Sequence, residues 1–313
     1  MTSAALTPIL ADRLSALDEV PASTDGSPSP ELLAALDAFG ATVGDYRAPD
    51  VDVIEAAAPG PHGTVPIRIY QSTNRRPSHG LVWVHGGGFM FGDLDMPESD
   101  VVARELVVRA SIVVVAVDYR LCVDGVHFPV PHDDVHAAFE WASKSTLLRD
   151  EGGWAIGGAS AGGNLTAGVA QRLRDEGAGA SALVLAYPVV HHHLPGGSPV
   201  HRARLATLPA ALRFPAAMTE TINANFLGGN DAETPYAFAA LGDLHGLPPT
   251  LVIVGDHDEL TPSGEDFARR LAESAVTVEI DRVVGVAHGH LNVPGLPEAL
   301  ASIDRIADFV TGM

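Results

Sequence analysis

Cysteine is almost missing from this 313-residue sequence. Cys122 stands alone, so no disulfide can form within the chain, and the expected setting is a reducing, cytoplasmic one. Its apolar neighbours, with no basic residue beside it, mark a buried structural thiol rather than a reactive one. Lysine is equally rare, Lys144 being its sole instance. Basic residues number 19 against 39 acidic ones, a formal net charge of −20. Such a chain repels phosphate backbones and anionic lipid, which excludes nucleic acid and membrane surfaces as partners. No apolar run reaches the roughly 20 residues that span a bilayer, and the stretch from Met1 to Leu17 lacks the basic-then-apolar pattern of a secretion signal. Internal repeats and low-complexity tracts are absent as well.

What is present is a large apolar share, 46% of residues, enough for a substantial core. Leu81 to Val84 is a short continuous apolar run and Ile112 to Val117 a continuous apolar, β-branched one, and Trp154 to Gly157, Ala182 to Tyr187, Leu251 to Gly255 and Val276 to Val284 read as further strands. Helical patterns separate them, at Glu98 to Ala110, Asp134 to Ser145, Ser160 to Glu176, Gly264 to Ser274 and Pro297 to Thr311. Strands of this kind alternating with helices predict a mostly parallel sheet covered on both faces, an α/β architecture. Val51 to Ala57 and Val65 to Gln71 alternate across Pro59-Gly60-Pro61-His62-Gly63 and read as a hairpin. Ahead of them, Thr7 to Val20 and Glu31 to Gly40 read as helices around a Pro/Ser/Gly-rich loop from Pro21 to Pro30. A second irregular stretch, residues 191–228, follows a strand and carries a helical pattern over Leu205 to Met218. Connections of this length often form lids.

Three motifs carry chemistry. In Gly158-Ala159-Ser160-Ala161-Gly162 an apolar strand rises into a tight turn and a helix. The pattern G-x-S-x-G presents a serine above a sheet at a helix N-terminus, where partial positive charge favours a developing anion. Directly after the strand Leu81 to Val84 comes His85-Gly86-Gly87-Gly88-Phe89. Its bare backbone N–H groups can converge on an oxyanion. The third motif is Val286-Ala287-His288-Gly289-His290, beyond the last strand, which offers His288 as the base for Ser160, with His290 as the competitor. The acid that orients the imidazole should follow the strand Leu251 to Gly255, where Asp256, Asp258 and Glu259 all qualify. The run His191-His192-His193 raises a zinc site. Three adjacent side chains cannot all face one way, and no paired cysteines or H-E-x-x-H support it, so a solvated lid loop is expected and no metal or organic cofactor is required.

From about Leu81 to Ala307 the chain resembles the hormone-sensitive-lipase-like branch of the α/β-hydrolases, and its bacterial esterases in particular. His85 to Phe89 is similar to that family's HGGGF. Asp118-Tyr119-Arg120-Leu121 with Phe128-Pro129 is similar to DYRLAPE-x-x-FP, and Gly158 to Gly163 to GDSAGG. Asp258 to Gly264 lines up with DPLRDEG, and His288-Gly289 with the terminal HG pair. The resemblance implies an α/β-hydrolase fold with an eight-stranded sheet. It implies Ser160 as nucleophile, Asp258 as acid, His288 as base, and oxyanion donors at the N–H groups of Gly87, Gly88 and Ala161. It also implies a helical cap made of residues 1–48 and the insertion 191–228, with the catalytic core in 49–190 and 229–313. Four departures stand out: Ala159 replaces an Asp, Cys122-Val123-Asp124 replaces Ala-Pro-Glu, Glu259 replaces a Pro, and His290 replaces a Phe.

The activity these readings imply is hydrolysis of short-chain, small-molecule carboxylic esters through an acyl-enzyme. The alternatives are an amidase or deacetylase with the same triad, or a non-catalytic receptor for small ligands. Phe89, Leu205, Leu208, Phe214 and His290 are the expected substrate contacts; Leu205, Leu208, Leu212, Phe214 and Met218 equally suit packing of the lid on the core. A homodimer is the one protein partnership the reading allows.

Overall fold

The computed structural model describes residues 5–17, 20, 29–73, 77, 79–147 and 153–312. Most of the loop expected from Pro21 to Pro30 lies outside them. The eight strands are β1 (Asp52–Gly60), β2 (Gly63–Gln71), β3 (His79–Val84), β4 (Val113–Val117), β5 (Gly153–Ala159), β6 (Leu183–Ala186), β7 (Thr250–His257) and β8 (Val278–Ala287). They form one sheet in the order β1-β2-β4-β3-β5-β6-β7-β8. β1 and β2 form an antiparallel hairpin, β2 runs antiparallel to β4, and every later pairing is parallel. The expected mostly parallel eight-stranded sheet is therefore present. The hairpin turn is tighter than the sequence indicated, since Gly60 already pairs with Gly63.

The continuous apolar strands bury both faces, and strand alternation sorts their side chains. Val82 and Val84 point into one core with Ile156, Leu185 and Val252, while Leu81 and Trp83 point into the other with Ala155, Val184 and Ile253. Helices α4 (Val130–Ser143), α5 (Ala161–Asp175) and α8 (Thr261–Glu273) cover the first face; α3 (Pro97–Ala110) and α9 (Pro297–Thr311) cover the second. Cys122 is buried in the first core, where loss of solvent pushes its thiol up to about 12.

The two irregular stretches differ from expectation in their helices. Of the helix expected over Thr7 to Val20, the described residues show α1 (Pro8–Asp12), followed by a 3₁₀ turn at Leu14–Leu17. Between them the Arg13 side chain donates to the carbonyls of Phe39, at 2.9 Å, and Ala41, at 2.6 Å. α2 (Pro30–Phe39) follows, capped by Ser29, whose hydroxyl accepts from Leu32 N at 3.2 Å. After β6, the helix expected over Leu205 to Met218 is replaced by α6 (Pro199–Leu205), a 3₁₀ turn at Ala210–Leu212 and α7 (Ala216–Leu227). Pro209 and Pro215 supply the reason: each lacks an N–H and disfavours helix in the residue before it, so helix ends and restarts around them. Ser198 caps α6 and left-handed Gly228 ends α7. Both stretches reach one another in the second core, where Leu10, Leu17 and Leu32 share a cluster with Leu205, Leu208 and Leu212.

Candidate active site

β5 ends at Ala159 and α5 begins at Ala161, leaving Ser160 alone between strand and helix with φ 51° and ψ −115°. A non-glycine residue takes up that backbone geometry only when its surroundings enforce it. The enforcement comes from two close approaches. A Cβ at Gly158 would lie 2.6 Å from the Gly162 backbone, and one at Gly162 would lie 2.3 Å from the Val84 carbonyl oxygen. Only bare glycine lets β3, β5 and α5 pack so tightly. The turn is fixed further by Ser160 N, which donates to Ala186 O at 2.9 Å.

Beyond β8, His288 projects from the loop toward this turn. Its Nε2 accepts from the Ser160 hydroxyl at 3.0 Å, and its Nδ1–H donates to Asp258 Oδ2 at 2.8 Å. Burial disfavours the protonated ring, but the charge and hydrogen bond of Asp258, reinforced by Glu98 and Glu259, outweigh it and leave the His288 pKa above its ordinary value. Tyr187 and Phe214 stand edge-on to the imidazole, with ring centroids 5.0 and 4.9 Å away.

The three candidate carboxylates after β7 separate cleanly. Asp258, 1% exposed, reaches His288 and also accepts from Leu260 N at 2.8 Å, while its backbone carbonyl accepts from His201 of α6. Asp256 faces elsewhere: its Oδ1 accepts from His257 Nδ1 and from Gly285 N, each at 2.7 Å. Burial would raise the Asp256 pKa, but these two donors and Arg204 hold it below the ordinary carboxylate range. Glu259 accepts from Arg213 Nε at 2.6 Å and from Phe214 N at 2.7 Å, which fastens the ring of Phe214 beside His288. A proline here could not do so.

The glycine run lies across the mouth of the turn. Gly87 and Gly88 have φ 99° and 57°, and a Cβ at Gly87 would fall 1.8 Å from Phe91 O. Neither backbone N–H finds an acceptor among the described residues, and both glycines line the same cavity as Ser160 and His288. Tyr119 braces the run from beneath, its hydroxyl donating to Gly86 O at 2.9 Å and its ring stacked on His85 at 4.5 Å. On the other side Glu98, at the start of α3, accepts from Gly86 N at 2.7 Å. Cys122 N donates to Phe89 O at 2.7 Å, and left-handed Asp124 and Gly125 close the turn that follows. The turn thus forms with Cys122-Val123-Asp124 in place of the Ala-Pro-Glu that the resemblance led us to expect.

The cavity measures about 530 Å³. Its walls are mainly apolar, with Leu33, Leu36 and Phe39 from α2 and Phe214, Met218 and Ile222 from the insertion. Of the expected substrate contacts, Phe214 and His290 line it, but Phe89, Leu205 and Leu208 do not. Phe89 is fully buried against Phe226, centroids 4.1 Å apart. Leu205 and Leu208 are buried in the second core, so they pack the stretch 191–228 against it. His290 presents little of its ring: Nε2–H donates to Ser302 Oγ at 2.9 Å, and burial lowers its pKa to about 4. The histidine run also departs from expectation. His191 is not solvated but buried, bonded to Ser263 Oγ at 2.9 Å and Asp266 at 3.0 Å. Among the described residues no group of three His, Cys, Asp or Glu side chains is arranged to hold a metal, and no helix is long and apolar enough to cross a membrane.

Sequence reasoning missed Glu98, Tyr187, His201 and Asn292. None lies in a recognisable motif. The nearest signal is Pro97-Glu98, an acidic residue in the first turn of a helix that follows closely on the glycine run.

Comparison with known proteins adds a second line of observation. The family model described as alpha/beta hydrolase fold matches residues 81–292. Esterase LipI of Mycobacterium tuberculosis is 31% identical over 269 residues, 82% of this chain and 81% of that protein. The solved structure of a hyperthermophilic esterase from the archaeon Pyrobaculum calidifontis is 33% identical, with a TM-score of 0.77 over 85% of this chain and 87% of that one. That of an esterase from the bacterial hormone-sensitive lipase family has a TM-score of 0.80 and 25% identity, covering 98% of this chain and 99% of the other.

Proposed function

This chain belongs to the alpha/beta hydrolase family, in its hormone-sensitive-lipase-like branch, and is a carboxylic ester hydrolase; from that premise we propose that it cleaves short-chain, small-molecule esters through an acyl-enzyme on Ser160. The observation that carries the reading is the unbroken relay from Ser160 Oγ to His288 Nε2, 3.0 Å, and from His288 Nδ1 to Asp258 Oδ2, 2.8 Å.

In the proposed reaction Ser160 Oγ attacks the ester carbonyl carbon as its proton passes to His288 Nε2. The carbonyl π electrons move onto oxygen, and the N–H groups of Gly87, Gly88 and Ala161 bind that oxyanion. Each such donor typically lowers the barrier by about 3–4 kcal/mol. Collapse of the tetrahedral intermediate breaks the bond to the alcohol, which leaves with the proton from His288. Water, deprotonated by His288, then attacks the acyl-enzyme, and collapse returns the proton to Ser160 and frees the acid. Asp258 keeps the imidazole in the tautomer that has its lone pair on Nε2 and offsets the charge of the imidazolium. In this reading α1 and α2, with α6 and α7, form a cap that keeps the cavity apolar, and the cavity accommodates a compact acyl or alcohol group.

The test is a series of activated esters of graded acyl length, run beside matched amides and a Ser160→Ala control. Turnover of short acyl esters, falling with chain length and lost in Ser160→Ala, is expected. Faster turnover of the amides would assign the chain to amide hydrolysis instead.

A further inference from the structure

The relay described above leaves unused a buried carboxylate on the cavity wall. Glu98 is 2% exposed and borders the reaction cavity. Among the described residues no cationic side chain pairs with it. Three neutral donors hold it instead: Gly86 N to Oε1 at 2.7 Å, and Tyr187 OH and Asn292 Nδ2 to Oε2 at 2.8 and 2.9 Å. Its backbone is engaged as well, with Glu98 N donating to Asn292 Oδ1 at 3.1 Å and Trp83 Nε1 donating to Glu98 O at 2.7 Å. The first turn of α3 favours the negative charge.

These partners come from separate parts of the chain and all border the site. Gly86 begins the glycine run, and a Cβ on it would sit 2.7 Å from Glu98 Oε1 and 3.1 Å from Ser160 Cβ. Tyr187 follows β6 with φ 38° and stands edge-on to His288. Asn292 lies in the 3₁₀ turn His290–Asn292, just past His288. One carboxylate therefore ties the loop that carries Gly87 and Gly88 to the wall that carries His288. A buried charge held only by neutral donors is a poor contributor to stability compared with apolar packing, so its use lies in fixing the relative position of what it joins.

We propose that Glu98 is a positioning residue for acyl transfer: its carboxylate clamps the glycine run to Tyr187 and Asn292, so that the Gly87 and Gly88 N–H groups stay aimed at the oxygen of a substrate bound to Ser160. The inference rests on the esterase reading above. It predicts a loss felt in the transition state and not in ground-state binding, because the clamp acts on donors that the substrate engages fully only as charge develops.

The experiment uses Glu98→Gln, which keeps size and one acceptor but turns a nitrogen toward the hydroxyl of Tyr187 and the amide of Asn292. Rates are expressed per active site titrated with a serine-directed phosphonate, so that misfolded protein does not count. The expected result is a fall in kcat of about 100-fold with KM within about threefold, the scale of a misplaced reacting group. A trifluoromethyl ketone, which forms a tetrahedral adduct with the serine, should lose affinity by the same factor as kcat/KM. Glu98→Asp, which restores the charge one methylene short, should recover part of the loss in both. Tyr187→Phe removes one donor without changing shape and is expected to give the same pattern at smaller amplitude, which keeps the test open if Glu98→Gln does not fold. Wild-type kcat and ketone affinity per titrated site in either variant, with only the melting temperature lowered, would overturn the proposal. Should the wild-type protein itself leave activated esters untouched, the esterase reading fails before the clamp is tested.

Discussion

His288 concentrates the chemistry of the site in one side chain. Its pKa is set by a contest between burial, which disfavours the imidazolium, and Asp258, which favours it and wins. A general base must be neutral to accept a proton, so activity should rise with pH through that raised pKa, with the acid limb of kcat/KM lying above the ordinary histidine value of about 6.5. His290 adds no second limb near neutrality, because burial holds it at about 4. Asp258→Asn should move the limb to lower pH and reduce kcat by about 10⁴-fold, since the imidazole then loses both its tautomer and its counter-charge. Asp256→Asn, whose parent carboxylate serves His257 and Gly285 N, should leave the limb in place. A pH–rate series on the two variants checks both statements, and the opposite ranking would transfer the acid's role to Asp256.

Individual elements show where local pattern is sufficient and where it fails. The β5–α5 turn was legible because its glycines answer to packing, and Gly162 illustrates the point. A Cβ there meets the Val84 carbonyl oxygen at 2.3 Å, a backbone atom that cannot rotate away. Gly162→Ala should therefore lower stability by about 3 kcal/mol or more. Gly196→Ala, where nothing lies within 4 Å of an added Cβ, should be close to neutral; chemical denaturation of the pair measures the difference. The helices after β6 do not follow the apolar spacing from Leu205 to Met218, because Pro209 and Pro215 split that stretch. Ser198 and Gly228, which cap the true helices, carried the missing information. Likewise Arg13, just past α1, donates to carbonyls at the end of α2, a contact that no local pattern announces.

Across the whole molecule, the doubly covered sheet could be read from continuous apolar strands alternating with helices, and the order of the motifs at Gly86, Ser160 and His288 placed them at one end of it. Partnerships between distant residues outside the motifs were not legible. Glu98 and Asn292 lie 194 positions apart, and no periodicity links them. Residue type alone left Asp256, Asp258 and Glu259 undivided, since strand direction and loop path decide which of three neighbouring carboxylates faces His288; only the alignment of Asp258 to Gly264 with a family motif pointed to Asp258. Phe89, Leu205 and Leu208 were assigned to substrate on hydrophobicity, which does not distinguish a cavity wall from a core. Charge is the remaining molecular property with a functional consequence. The chain carries −20 overall, and among the described residues no lysine or arginine lines the cavity, while Asp37 and Glu98 do. An ester bearing a free carboxylate should show a KM at least about tenfold above its neutral isostere at low salt, with the gap narrowing as salt screens the field. Equal KM values at all ionic strengths would deny any electrostatic selection.

The central claim is that one hydroxyl forms the covalent intermediate, and mass spectrometry of the intact protein after reaction with a fluorophosphonate tests it most directly. A single adduct per chain that maps to Ser160 is expected, with ester turnover lost in proportion to labelling, and neither adduct nor turnover in Ser160→Ala. Full ester turnover by a folded Ser160→Ala protein, or stoichiometric labelling at another residue with the same loss of activity, would contradict it.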